Sequence, residues 1–285
     1  MAETKETIEK FRQELIVAGY SKRTIKMYLN YVEEFLSFFN KTPEQAIKED
    51  IISFIAKKKE EDKLSNASIS LIYSSLKYFY HNYLRLKIMD EIKTPKKEKK
   101  LPSVLSIEEV KKLIETTKKG RNRLIVQFLY STGTRVSECA NIKLNDLDLE
   151  QKIAKVRGGK GNKDRTIILS DYWIKELHKH LNKKKVKSEF VFSKKNGKPI
   201  TTTTIERIVR NSAQKAGITK KVTAHTMRHS FATHLLESGE NIRKIQELLG
   251  HENLSTTQIY TTISTAELKK TINPLDKLKN MYKNV

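Results

Sequence analysis

The chain has 285 residues with 56 Lys and Arg against 33 Asp and Glu, and its net charge of +23 makes a polyanion the natural partner. A hydrophobic content of 38% suits a globular protein of about two domains. With no run of 18 apolar residues and a charged opening, MAETKETIEKF, neither a membrane span nor a signal peptide is expected, and the protein is expected to be cytoplasmic with no membrane partner. One cysteine, Cys139, excludes an intramolecular disulfide, fits a reducing compartment and is expected to be a small buried side chain.

Charge is unevenly distributed. Residues 1–93 hold 16 Lys and Arg against 14 Asp and Glu, and the remainder holds 40 against 19, so the electrostatic field belongs to the second part. In the first part Ile8, Phe11 and Leu15 form a helical stripe ending at Gly19. Ser21 then caps a second helix, in which Ile25, Tyr28, Val32, Phe35, Leu36 and Phe39 recur three and four apart. Thr42-Pro43 supplies the N-cap and first position of a third element, and a short helix begins at Asp50. A long helix is expected from Ser65 to about Lys87, with Ile69, Ile72, Leu76, Phe79, Tyr80 and Tyr83 on or near one face. Residues 1–92 are therefore expected to be an all-helical domain.

Residues 93–102, KTPKKEKKLP, place Lys96, Lys97, Lys99 and Lys100 between two prolines without apolar periodicity. Such a segment is a linker, either a solvated hinge or a track for a phosphate backbone. Ser106 and Glu109 then form a capping box, and helices run to about Lys119 and from Arg121 to Ser131. Thr132-Gly133-Thr134-Arg135 turns into the next helix, with Arg135 expected in its first turn and Glu138, three residues on, able to orient the guanidinium. DLDL, KIAKVR and RTIIL read as three short strands, the last two joined by the glycine-rich loop from Gly158 to Asp164. No Gly-Lys-Ser/Thr leads from that loop into a helix, so ATP use is not expected; Lys160, at the tip, is placed to reach a nucleic-acid groove. Helices follow at roughly 171–183 and 203–216, with a turn at Asn196-Gly197 between them.

The stretch from His225 to Tyr260 carries the densest chemistry. His225, Arg228 and His229 open it, Leu249-Gly250-His251 interrupts it and Tyr260 closes it. His225 and Arg228, three apart on a helix, share a face. Leu235, Leu236, Ile242, Ile245, Leu248 and Leu249 recur at helical spacing around the cap residues Ser238-Gly239-Glu240-Asn241, which is ordinary core; on these residues alone, a helix-turn-helix reader of DNA remains open. A zinc site is not expected: His225 and His229 are four apart, but the second position of a His-Glu-x-x-His motif lacks its Glu, and no carboxylate or thiol follows at ligand spacing. His229 and His234 read as packed or surface histidines outside any site.

The order, spacing and local sequences TGTRVSE, GKGNKDR, HTMRHSFATHLL and LGHENLSTTQIY resemble the tyrosine recombinase family, in its prokaryotic Xer-type branch, over nearly the whole chain. The helical first part resembles that family's SAM-like core-binding domain by pattern only. This resemblance implies a mainly α fold with a small antiparallel β-sheet. Its two domains would be a core-binding domain over 1–92 and, after the basic linker 93–102, a catalytic domain over 103–285 with a C-terminal tail from about residue 263. It implies a catalytic set of Arg135, Lys160, His225, Arg228, His251 and Tyr260, with Glu138 supporting the first arginine.

Tyrosine attack on a phosphodiester builds charge on two non-bridging oxygens, which two arginine forks can receive. Ionising Tyr260 at pH 7 costs roughly 4 kcal/mol, so it needs a base, for which His225 is the better candidate. Lys160 would protonate the 5′-hydroxyl and His251 would hydrogen-bond the phosphate. The phosphotyrosyl bond conserves the energy of the broken linkage, so no cofactor or metal is called for. The implied partners are double-stranded DNA bearing a specific recombination site and a homotetramer on two duplexes, with an accessory activator left open. Since the chain opens on the core-binding-like helices without a preceding arm-binding domain, a simple-site recombinase that resolves chromosome or plasmid multimers is expected. The alternatives are a mobile-element integrase, a type IB topoisomerase-like enzyme and a catalytically inert DNA-binding protein. Asn273-Pro274 departs from the His-Pro of the bacterial Xer ending.

Overall fold

Helix caps and apolar spacing divide the chain into two compact units, residues 1–100 and 101–285. The computed structural model describes residues 2–93, 103–157, 164–183 and 186–250. In the first unit, α1 (Ala2–Val17) and α2 (Lys22–Phe39) are separated by Gly19 in the left-handed region, and the Ser21 hydroxyl accepts the Thr24 N–H at 3.1 Å. A 3₁₀ turn at Pro43–Gln45 starts where Thr42-Pro43 predicts it. The next helix, α3 (Lys48–Glu60), starts two residues ahead of the expected Asp50. The Asp50 carboxylate accepts the Ile47 N–H at 3.0 Å and so closes the helix start from its third position rather than marking its first.

α4 (Asn66–Lys77), capped by Ser65, does not run on as an α-helix to Lys87. It passes into a π-helical turn at Tyr78–Tyr83 and stops at Leu84, with Arg85 left-handed at φ +61°. The reason is aromatic packing. Winding i→i+5 lays residues five apart over one another, so that Tyr78 and Tyr83 both reach the Phe11 ring, at 6.2 and 5.4 Å, beside Phe79 at 5.0 Å. Phe11, Phe35, Phe54, Phe79 and Tyr80 are fully buried and dominate this core.

The second unit is built on α6 (Arg121–Thr132), whose residues Leu124 to Leu129 are buried without interruption. α5 (Ile107–Thr116) precedes it. There the Ser106 hydroxyl accepts the Glu109 N–H at 3.2 Å, and the Glu109 carboxylate accepts the Ser106 N–H at 2.7 Å. After the short α7 (Val136–Asn141) come β1 (Leu147–Asp148), β2 (Ile153–Val156) and β3 (Arg165–Ile168), an antiparallel sheet in the order β1-β2-β3 with Leu147 opposite Ala154 and Val156 opposite Arg165. The three strands fall where they are expected but are shorter.

α8 (Asp171–Lys183) contributes Trp173, buried with its indole N–H on the Leu124 carbonyl at 3.1 Å, and α9 (Thr202–Lys215) follows a turn in which Gly197 is left-handed. α10 (Ala224–Glu237) packs on α6, and α11 (Ile242–Leu249) packs on α10 and β3. Cys139, in α7, is fully buried, as expected. No helix of the described residues is long and apolar enough to cross a membrane.

Candidate active site

The site begins at the end of α6. Gly133 is left-handed at φ +60°, and a Cβ there would collide with the Phe231 ring and come within 2.9 Å of Leu249, so the turn requires glycine for both conformation and space. Two residues on, Arg135 is not in the first turn of α7 as expected. It is the N-cap, with extended backbone (φ −70°, ψ 154°), because the Glu138 carboxylate takes its N–H at 2.7 Å. The same carboxylate accepts Arg135 Nη1 at 2.9 Å, so Glu138 orients this arginine through both its backbone and its side chain.

Glu138 has a second, stronger partner. Arg165, the first residue of β3, forks onto it with Nη1 at 2.8 Å and Nη2 at 2.7 Å. Burial opposes ionisation of this carboxyl, but the hydrogen bonds and charge of Arg165, followed by those of Arg135, outweigh it and hold the pKa down to about 2. The Glu138 side chain is 5% exposed, that of Arg165 9% and that of Arg135 29%, which leaves Arg135 the open member of the group.

Arg228 lies deeper than its spacing suggests. Only 3% exposed, it donates from Nη1 to the Gly133 carbonyl and from Nη2 to the Leu249 carbonyl, both at 2.6 Å. Arg135 Nη2 donates to the Gly250 carbonyl at 3.2 Å, and Arg165 Nε to that of Leu248 at 2.8 Å. Three successive carbonyls at the C-terminus of α11 therefore each accept a hydrogen bond from a different guanidinium. These groups lie where a helix leaves its carbonyls without intrahelical partners and where cations are favoured. Gly250, left-handed at φ +64°, ends the helix.

His225, one turn ahead of Arg228 on α10, sits at the rim of this cluster. Desolvation of its packed side lowers its pKa; repulsion from Arg228 and then from Arg135 acts the same way, and Glu206 acts against them. The ring is therefore neutral at neutral pH and able to accept a proton. His229 is set against it, Nε2 to Nε2 at 2.7 Å, so one ring donates and the other accepts. His234 is a packing residue, held by the Tyr130 hydroxyl and the Leu105 carbonyl, both at 2.9 Å.

The structure thus gathers Arg135, Glu138, Arg228 and His225. Lys160, His251 and Tyr260, with the linker lysines Lys96, Lys97, Lys99 and Lys100, lie outside the described residues. Two further residues join the group: Arg165, which the sequence does not single out, and His229, which reads there as a packed or surface histidine outside the site. The signal for Arg165 was the scarcity of arginine, 12 among 56 basic residues.

A family model described as the phage integrase family matches residues 103–267, and one for a phage integrase N-terminal SAM-like domain matches residues 7–90. Tyrosine recombinase XerA of Pyrococcus furiosus is 41% identical over 282 residues, spanning 97% of this chain and 96% of its own. The crystal structure of XerA recombinase matches with a TM-score of 0.56 at 37% identity over 93% of this chain and 96% of that one. That of XerH site-specific recombinase bound to difH substrate, in a pre-cleavage complex, matches with a TM-score of 0.71 at 26% identity over 86% and 77%. The chain therefore belongs to the phage integrase family, in its Xer-type tyrosine recombinase branch, and is a site-specific recombinase that cleaves and rejoins DNA.

Proposed function

We propose that this recombinase resolves chromosome or plasmid multimers in the cytoplasm, cutting each strand through attack by Tyr260. In this reading the Tyr260 hydroxyl oxygen bonds to the scissile phosphorus as its proton passes to His225. The bond from phosphorus to the 5′-oxygen breaks, and Lys160 supplies the proton that makes the departing oxygen a hydroxyl. Arg135 and Arg228 carry the charge that grows on the two non-bridging oxygens, and His251 donates a further hydrogen bond to the phosphate. Reversal by an incoming 5′-hydroxyl reseals a different strand without an external energy source.

The observation that carries the reading is the pair of guanidiniums, Arg135 and Arg228, each anchored to the Leu249-Gly250 turn directly before His251, with a neutral His225 beside them. The partners proposed are duplex DNA with a recombination site, as in the substrate complex of XerH, and a tetramer on two duplexes, with or without an activating protein. The domains proposed are a core-binding domain at 1–92, a linker at 93–102 and a catalytic domain from 103 with its tail from about 263. Lys96, Lys97, Lys99 and Lys100 of the linker would neutralise phosphates.

On a nicked suicide substrate, Tyr260→Phe should yield no covalent protein–DNA adduct; an adduct that persisted would sink the nucleophile assignment. Supercoil relaxation without site preference would instead indicate a topoisomerase outcome for the same chemistry. Neutralising the four linker lysines should weaken DNA binding and flatten its salt dependence, because phosphate contacts release counterions. An unchanged slope would make the linker a solvated hinge.

A further inference from the structure

The reaction described above gives Arg165 no part, yet this side chain joins three pieces of the site. It opens β3 opposite Val156, five residues after Lys160 in the sequence. Its forked contact with Glu138 reaches the N-terminus of α7, where Arg135 is held. Its Nε reaches the Leu248 carbonyl, and its stem lies so close under Gly250 that a Cβ there would meet Cδ at 2.8 Å. The chain leaves that turn for His251. The other foot of the hairpin is tied separately, by Arg157 Nε on Asp146 at 2.7 Å, to the 3₁₀ turn at Leu144–Asp146.

Electrostatics gives this junction a purpose beyond packing. A buried carboxylate has to be compensated by nearby positive charge. If Arg135 alone compensated Glu138, most of its charge would be cancelled before a phosphate arrived. Arg165, with all three guanidinium nitrogens donating within the protein and two of them forked onto Glu138, is placed to balance that carboxylate. A lysine would supply the charge but not the planar fork with a third donor at Nε.

We infer that Arg165 is a positioning residue for strand cleavage: it balances Glu138 so that Arg135 keeps its charge for the scissile phosphate, and it fixes the end of α11 in register with Arg135. The inference rests on the proposed roles of Arg135 and Tyr260. It is tested with the full-length protein by measuring single-turnover adduct formation at saturating nicked DNA and, separately, the Kd for the same DNA. Arg165→Met and Arg165→Lys should each slow cleavage at saturation by about 100-fold, the scale of a misplaced reacting group, with Kd within about threefold of the parent.

A rate loss matched by an equal loss of DNA binding would make Arg165 a structural residue and overturn the inference, as would a parental rate in Arg165→Lys. Should Arg165→Met fail to fold, Arg165→Lys decides by the same criteria. Arg135→Ala and Tyr260→Phe separate the two levels. If both lose the adduct while Arg165→Met cleaves at the parental rate, the inference fails and the site reading stands. If Tyr260→Phe still forms the adduct, the site reading fails and takes the inference with it.

Discussion

The two units solve the problem of polar groups in opposite ways. In the first, the buried hydroxyls of Ser70 and Ser75 donate to carbonyls of their own helix, Asn66 at 2.9 Å and Ile72 at 2.7 Å, and that of Tyr73 donates to the Met89 carbonyl at 3.4 Å; the rest of its core is aliphatic and aromatic, with no buried ion among the described residues. The second unit has an equally continuous apolar core, yet next to it buries Arg228 and Asp146 and nearly buries Glu138 and Arg165. Buried ions are a poor source of stability, since desolvation takes back most of the Coulomb gain. Their placement is what differs: the arginines gather where α6 and α11 end, on carbonyls that the helices cannot satisfy. One core holds a shape, and the other holds charges in fixed directions.

That contrast is broken most severely at Arg228. Arg228→Ala should reduce adduct formation by at least about 10²–10³-fold, the usual loss for a transition-state donor. It should also destabilise the second unit, because the Gly133 and Leu249 carbonyls lose their charged donor at about 1–3 kcal/mol each. Single-turnover cleavage and urea unfolding read the two effects, and a normal cleavage rate would contradict the assignment. Phe35→Ala is the counterpart in the first unit, where the ring contacts Phe39, Phe54 and Tyr80. It should cost about 3–5 kcal/mol in stability, and its surviving folded fraction should keep the parental cleavage rate.

Acid sharpens the comparison more gently. The Glu138 carboxyl titrates at about 2 when folded against 4.5 as a free group, so its ionised form is favoured by folding. This contribution, about 3 kcal/mol at most, is fully present above the unfolded pKa of 4.5 and is lost as the pH falls toward 2. In the first unit the acids with lowered pKa, Glu6 and Glu91, are paired with lysines in open solvent and add little. Urea titrations at pH 5 and pH 3 should therefore show the second unit losing more stability than the first; equal losses would show that the Glu138 pair does not survive in solution.

Local features of the sequence foretold much of this. Ser21 and the three-and-four spacing of α2 announce that helix, the Ser106–Glu109 box announces α5, and RTIIL announces β3. The π turn escaped because a run of aromatics at Tyr78, Phe79, Tyr80 and Tyr83 fits a helical face whether the turn closes after four residues or five, and only the position of Phe11 decides. The sequence puts Arg135 one step too far into its helix because the carboxylate that takes its N–H belongs to a residue three places on. Distance along the chain hid the rest. Arg165 meets Glu138 across 27 residues, and Arg228 meets Gly133 across 95, so spacing could put Arg228 and His225 on one face without showing that one is sunk and the other is at the rim. His229 reads from the sequence as a packed or surface histidine because its contact with His225 depends on how two rings are turned.

Cys139, next to Glu138 and fully buried, gives the molecule an internal clock. Burial first, and the neighbouring carboxylate second, push its thiol pKa upward, and it is the thiolate that reacts. An alkylating reagent must therefore wait for α7 to open, and the rate at which the single sulfhydryl is consumed counts the openings of the helix whose N-terminus holds Arg135. A cysteine introduced on the surface would meanwhile be labelled against a silent background, so a fluorophore or crosslinker could be placed on the protein without removing the native thiol.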